Sequence, residues 1–153
     1  MDVAAERESI REHYREVRAP LLAALEGLSP EQMLEPSLDG WSVKDHLAHL
    51  TVWDEIRVQE IARVSAGGTP AWPLMNEEQV QTLNNLMADL RRGLSLEQVL
   101  QELESSRAGV IAAIEAATEA GLDGTRYGEA GLRSSHDRDH TDDILRWRKA
   151  RGV

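Results

Sequence analysis

The spacing of apolar residues is the feature that most restricts how this chain can fold. In nearly every long segment apolar residues recur three or four positions apart, and no stretch alternates convincingly with a period of two. A period near 3.6 is typical of a helix that buries one face, whereas alternation is typical of a strand. The sequence therefore predicts an all-α protein. The first segment shows the pattern with this apolar series: Ile10, Tyr14, Val17, Leu21, Leu25 and Leu28.

Capping and turn residues divide this pattern into four predicted helices. The first covers about residues 5–28. The second begins at Ser42, which forms a predicted capping box with Asp45, and it runs to about Ala66. We predict that these and two further helices form a four-helix bundle, and that residues 1–153 make up one domain.

The second half of the chain contains the other two predicted helices. Residues 80–114 carry an apolar stripe that pauses at Gly93 and resumes after Ser95, which forms a second predicted cap with Gln98, so we assign them to one interrupted third helix. The last helix is predicted over about residues 132–150. Segment 67–76 contains two glycines and two prolines, so it cannot continue a helix. It is predicted to be a long connection between the second and third helices.

Composition and charge exclude several classes of protein. Because the chain contains no cysteine, a transition metal would have to be bound by His, Asp or Glu. The net charge of -10 repels a phosphate backbone, so nucleic acid is not an expected partner. No apolar run approaches the roughly 20 residues of a membrane-spanning helix, and the charged N-terminus lacks the apolar centre of a signal peptide. We therefore expect a cytoplasmic protein that does not bind membranes.

The last two of the five histidines form a possible metal-binding pair. His136 and His140 are four residues apart, which places both imidazoles on one face of the predicted last helix. On a helical wheel this face coincides with the core side. Buried imidazoles need hydrogen-bond partners, and a shared cation would provide a partner for both. The alternative is a solvated face, because polar residues 137, 138, 139, 141 and 142 surround the pair.

A third ligand would have to come from elsewhere, and the second predicted helix offers two histidines. His46 lies closer to the apolar stripe of that helix, and His49 lies on its flank with Trp53. Periodicity does not choose between them. His13 lies among charged residues, and we predict a surface or structural role for it.

Two motifs resemble those of the DinB-like superfamily of metalloenzymes. These are G-W-S-V-K-D-H-L-A-H-L at residues 40–50 and H-D-R-D-H at residues 136–140, and the resemblance spans the chain. Members of that superfamily form a four-helix bundle in which three histidines bind one divalent ion, commonly zinc or nickel. Matched residue by residue, the resemblance implies His49, His136 and His140 as the metal ligands. It places His46 in the wall of the pocket behind them.

Finer features resemble the branch of this superfamily that contains ClbS and DfsB-type proteins. They are Trp53 with Asp54, Leu83 with Asn84, and H-x-x-x-H-x-x-x-I-x-x-W at residues 136–147. ClbS is a cyclopropane hydrolase that gives self-resistance to a genotoxin. Other branches transfer low-molecular-weight thiols, and these often continue with H-R-G-Q after the last ligand. Here Thr141, Asp142 and Asp143 follow His140, which disfavours a thiol cofactor.

The resemblance implies a metal-dependent hydrolase or transferase that acts on a small electrophilic substrate, in detoxification or resistance. The expected cofactor is one divalent ion, zinc or nickel. The expected pocket residues around the ion are His46, Trp53, Asn84, Asp139 and Asp143. The alternative is a non-catalytic helical module that binds a small molecule or dimerises, and a homodimer is the expected assembly.

Overall fold

The computed structural model describes residues 1–129 and 131–153, and within them the chain is helical with no β-strand. The all-α prediction is confirmed. Two short 3-10 turns, Trp72–Leu74 and Gly124–Tyr127, lie in the connections. The helices are α1 (Val3–Leu25), α2 (Pro30–Leu34), α3 (Val43–Ser65), α4 (Glu77–Arg91), α5 (Leu96–Ala116), α6 (Glu119–Leu122) and α7 (His136–Arg151).

The described part of the chain therefore contains seven α-helices where four were predicted. The main difference is the interrupted third helix, which is two separate helices, α4 and α5. A new helix begins after Gly93 because Ser95 caps it: the Ser95 hydroxyl accepts from the amide of Gln98 at 3.1 Å, and the Gln98 side chain accepts from the amide of Ser95. All residues of α4 keep some solvent exposure, whereas α5 contributes buried side chains such as Leu103 and Val110.

The start of α3 agrees with the predicted capping box. The Ser42 hydroxyl accepts from the amide of Asp45 at 3.1 Å, and the Asp45 carboxylate accepts from the amide of Ser42 at 2.8 Å. These reciprocal bonds satisfy two amide groups that a helix start would leave unpaired. The helix thus begins at Val43, which puts His46 and His49 in its first two turns.

The last helix begins at His136, four residues later than predicted. Leu132 is buried ahead of the helix, and its carbonyl oxygen accepts from the Tyr14 hydroxyl at 2.5 Å. A side-chain donor therefore takes the place of the helical bond that this carbonyl would otherwise accept. The predicted wheel position of Leu132 is consequently wrong, although its burial is as expected.

Two aliphatic clusters make up the core. All four long helices, α1, α3, α5 and α7, contribute to the first cluster, which contains Leu21, Leu47, Leu103 and Ile144. The second cluster is built from α1, α3, α5, α6 and the segment before α7, and it includes Ile10, Ile61, Val110, Ile114, Leu122 and Leu132. Fully burying an aliphatic side chain of this size contributes about 1.5–3 kcal/mol to folding. The apolar stripes that identified α1, α3 and α5 are the faces that pack here.

A layer of four charged side chains lies between the two clusters, one from each long helix. Arg18 of α1 donates to Asp54 of α3 at 3.1 Å and to Asp137 of α7 at 2.6 Å. Arg107 of α5 donates to the same two carboxylates, at 3.1 and 3.0 Å. Asp137 is only 3% exposed, so the alternative of a solvated face does not describe it. Two guanidinium groups and two carboxylates balance one another in charge.

None of the helices described here combines the length and the apolar character needed to cross a lipid bilayer.

We expect the substitution Asp54→Asn to lower the free energy of unfolding by about 3–5 kcal/mol, because it leaves two buried guanidinium groups short of negative charge. Urea denaturation at pH 7.5 measures this loss. The matched control is Asp89→Asn, which removes one partner of the exposed Arg92–Asp89 ion pair. That control should leave stability nearly unchanged. Equal effects of the two substitutions would contradict a structural role for the buried layer.

Candidate metal centre

The structure brings together the three histidines that the resemblance implies as ligands. His49 lies in the second turn of α3, and His136 and His140 lie one turn apart at the start of α7. His136 Nε2 is 3.0 Å from His49 Nε2 and 3.0 Å from His140 Nε2. The three ring centroids are 4.7 to 5.0 Å apart. All three rings are partly buried, so the solvated-face alternative does not describe them.

Hydrogen bonds among the three rings cannot pair all three Nε2 atoms. Each neutral Nε2 carries either one proton or one lone pair, and His136 Nε2 faces two nitrogen atoms at once. A cation would accept lone pairs from all three. Around a tetrahedral zinc ion with bonds of about 2.0–2.1 Å, ligand nitrogens lie about 3.3 Å apart, close to the spacing here. Imidazole suits zinc and nickel, so the donor set fits the ions that the resemblance implies.

The environment keeps these rings neutral. Burial is the largest cause that lowers the pKa of His49, His136 and His140, each to about 3. Repulsion between the neighbouring imidazoles lowers the three pKa values further. At neutral pH each ring is therefore neutral and has one nitrogen with a free lone pair, which is the state that binds a metal.

His46 lies behind His140, where the resemblance places it. The Nδ1 atoms of the two rings are 2.6 Å apart, so one of them donates to the other. If His140 binds an ion through Nε2, its Nδ1 carries the proton and donates a hydrogen bond to His46 Nδ1. His46 is buried, which lowers its pKa, and its Nε2 has no hydrogen-bond partner among the described residues. The ring of Trp41 packs against His46 and His49, with centroids 5.3 Å from each.

The other predicted pocket residues take different positions. The ring of Trp53 lies 6.2 Å from that of His136, and its Nε1 donates to Asn84 Oδ1 at 2.9 Å. Asn84 thereby links α4 to α3. Asp139 is exposed at the rim of the pocket beside His136. Asp143 lies on the His46 side, where its carboxylate accepts from Arg146 at 2.6 Å.

A pocket of about 390 Å³ opens beside the histidine cluster. Its volume falls in the range of small-molecule sites. His136 is the member of the cluster that reaches its wall. The lining residues are Trp53, Arg57, Trp72, Val80, Arg133, Ser134, Ser135, His136 and Asp139.

Neither Arg57 nor the buried charged layer was predicted from the sequence. Signals for both are present in the spacing. Arg57 follows Trp53 by four residues and His49 by eight, so it continues the same face of α3. Arg18 similarly lies four residues after Tyr14 and three before Leu21, within the apolar stripe of α1.

Comparisons with known proteins identify a family and a similar fold. The family model described as DinB superfamily matches residues 13–151. The fold is similar to the crystal structure of an uncharacterised protein from Escherichia coli UTI89, with a TM-score of 0.77 and 18% sequence identity. That match covers 96% of this chain and 95% of the other chain. The search of curated proteins found no match.

The lowered imidazole pKa values predict acid-sensitive stability of the metal-free protein. The unfolded chain takes up protons near pH 6.5, whereas the folded cluster does so only near pH 3. The free energy of unfolding is therefore highest above about pH 7 with respect to these histidines, and it falls as the pH drops below 6.5. Between pH 7.5 and 5.5 we expect a loss of about 1 kcal/mol for each of the three histidines. Most carboxylates stay ionised in this interval.

Urea denaturation of metal-free protein at the two pH values measures the loss. The variant His49→Gln should lose less, because glutamine does not titrate. A wild-type protein with the same stability at both pH values would contradict the prediction.

Proposed function

The chain belongs to the DinB superfamily, and from this membership and the histidine cluster we propose that it is a metal-dependent enzyme acting on a small electrophilic molecule. The observation that carries the proposal is the convergence of three neutral imidazoles beside a pocket whose wall His136 reaches. When bound there, zinc or nickel supplies Lewis-acid chemistry: it polarises an electrophile and makes a nucleophile available near neutral pH.

In this proposal His49, His136 and His140 hold the ion. Catalytic zinc sites have three protein ligands and one open position, and three imidazoles match that count. His46 orients His140 by accepting a hydrogen bond from the Nδ1–H group of His140, which fixes the tautomer that leaves His140 Nε2 free. Mutation of such a hydrogen-bond partner of a metal ligand typically lowers metal affinity by about tenfold to a hundredfold.

The pocket wall supplies the other roles. Trp53 and Trp72 form an aromatic contact with centroids 6.3 Å apart, and this surface holds the apolar part of a substrate and excludes water. Asp139 is the one carboxylate among the described lining residues. We therefore assign proton transfer at the pocket rim to its carboxylate oxygens.

We propose hydrolysis, the reaction of ClbS, rather than thiol transfer. Thr141 occupies the position that directly follows the last proposed ligand. It is buried, and its hydroxyl donates to the carbonyl oxygen of Asp137 at 2.7 Å. This side chain is therefore engaged within α7 and is not available for a thiol cofactor. A cytoplasmic location and a homodimer remain predictions from the sequence.

Metal analysis of protein purified without an affinity tag tests the ligand assignment. We expect about one divalent ion per chain, and loss of most of it in His49→Ala and His140→Ala, because two imidazoles no longer enclose the ion. The matched control is His13→Ala, which removes a histidine whose Nε2 contacts the Ser134 carbonyl oxygen. This control should retain its metal. A wild-type chain with no affinity for zinc or nickel would overturn the metal site.

Chelation tests whether the metal serves catalysis. We expect chelator-treated protein to keep its helical circular dichroism but to melt at lower temperature, since a bound ion stabilises only the folded state. Turnover of a panel of small electrophiles, such as epoxides and activated esters, should disappear and return with added zinc or nickel. Metal binding without turnover of any panel member would favour the non-catalytic binding module.

A further inference from the structure

The pocket contains a buried cation whose charge the fold does not balance. Arg57 is 6% exposed and lines the pocket beside His136. Within residues 1–129 and 131–153 no acidic side chain lies within 4.0 Å of its guanidinium nitrogens, whereas Arg18 and Arg107 each contact both Asp54 and Asp137. Buried charges in proteins are normally paired, because an unpaired charge in the interior is costly.

The contacts of Arg57 leave most of its donors unused. Its guanidinium carbon lies 4.4 Å from the centroid of the Trp72 ring, a cation–π contact. Among the described residues its one hydrogen bond is from Nη1 to the Leu132 carbonyl oxygen, at 3.4 Å. A guanidinium group has five N–H donors arranged to grip two oxygen atoms of one group. The pocket side of Arg57 is thus suited to an oxyanion.

Other charges near the pocket are already engaged. Arg133 also lines it, but its guanidinium lies 2.9 Å from Glu6. The buried acid Glu60, one turn after Arg57, accepts from Arg63 and from the amide of Ala71. Asp139 adds a negative charge at the rim. The guanidinium group of Arg57 therefore remains unpaired at the pocket wall, and a ligand with one negative charge would balance it.

The start of α7 contributes to the same wall. Ser134, Ser135 and His136 line the pocket where this 16-residue helix begins. The N-terminal end of a helix carries partial positive charge, which favours an anion nearby. This effect and the unpaired guanidinium group act on the same space.

We propose that the pocket binds a small monocarboxylate with a flat apolar body. Arg57 grips the carboxylate, and the apolar body lies against the Trp53 and Trp72 rings. The reactive part of the molecule then points toward His136 and the ion. A monoanion is favoured over a phosphate dianion, because one cation is available and Asp139 repels further negative charge. The binding site follows from Arg57 alone, whereas the view of its ligand as a substrate rests on the proposed function.

Titration calorimetry with three probes of similar size tests the site. The probes are benzoate, neutral benzamide and cationic benzylamine, added at pH 7.5 to the metal-free protein, so that benzoate cannot bind an ion. We expect benzoate to bind at least about tenfold more tightly than benzamide, because a charged hydrogen-bond pair replaces a neutral one. Benzylamine should not bind measurably. Equal affinity for benzoate and benzamide, or tighter binding of benzylamine, would overturn the proposal.

Two variants locate the effect. Arg57→Met should remove the preference for benzoate over benzamide, whereas Arg133→Met, in the same wall but paired with Glu6, should keep it within about twofold. Circular dichroism establishes that each variant is folded. If Arg57→Met does not fold, the comparison of the three probes on the wild-type protein still decides the proposal. An unchanged preference in folded Arg57→Met would overturn the assignment to Arg57.

Repeating the titrations with added zinc separates this inference from the metal proposal. A protein that binds no metal but prefers benzoate through Arg57 would retain the anion site and lose the metal site. A protein that binds zinc without any benzoate preference would give the reverse result.

Discussion

The buried ion-pair layer is the constraint on which the site depends. Each long helix contributes one member: Arg18, Asp54, Arg107 and Asp137. Because guanidinium and carboxylate groups pair only in narrow geometries, the layer restricts how each helix can slide or rotate against the others. Asp137 lies between His136 and His140 in the histidine motif on α7. Its two ion pairs join the first turn of α7 to α1 and α5, and the same two guanidinium groups pair with Asp54 of α3, the helix that carries His49.

The same low-polarity surroundings give the layer and the histidine cluster their properties. Burial makes an unpaired charge costly, so carboxylates and guanidinium groups pair, and imidazoles stay neutral with pKa values near 3. Neutral imidazoles bind metal ions through a free lone pair. Carboxylates that are paired with guanidinium groups do not compete with the imidazoles for the ion. Two buried cations, Lys44 and Arg57, have no carboxylate in contact among the described residues. The Lys44 ammonium group donates to the carbonyl oxygens of Arg92 and Leu94, at 2.9 and 2.7 Å, whereas Arg57 makes one hydrogen bond of 3.4 Å and a cation–π contact. The unused donors of Arg57 therefore indicate a site for a ligand.

Much of the helical structure could be predicted, because it follows from local rules. Apolar periodicity identified α1 and α3 and predicted helix over the residues of α5, and the capping box at Ser42 located the start of α3. The differences at Leu132 and Asp137 occurred where a distant group overrides the local pattern. The hydroxyl of Tyr14 holds Leu132 outside α7, and the two guanidinium groups draw Asp137 into the interior. Neither partner can be identified from the residues adjacent to Leu132 or Asp137.

The sequence by itself determined the fold class, the absence of thiolate ligands and the pairing of His136 with His140 on one helix face. Only the tertiary structure decided which histidine of α3 faces that pair, and it placed Arg57 in the wall of the same pocket. The physical reason is the separation along the chain of the residues that interact. Periodicity and capping act within a few residues, whereas the rotation of α3 against α7 depends on packing and ion pairs between residues 36 to 119 positions apart.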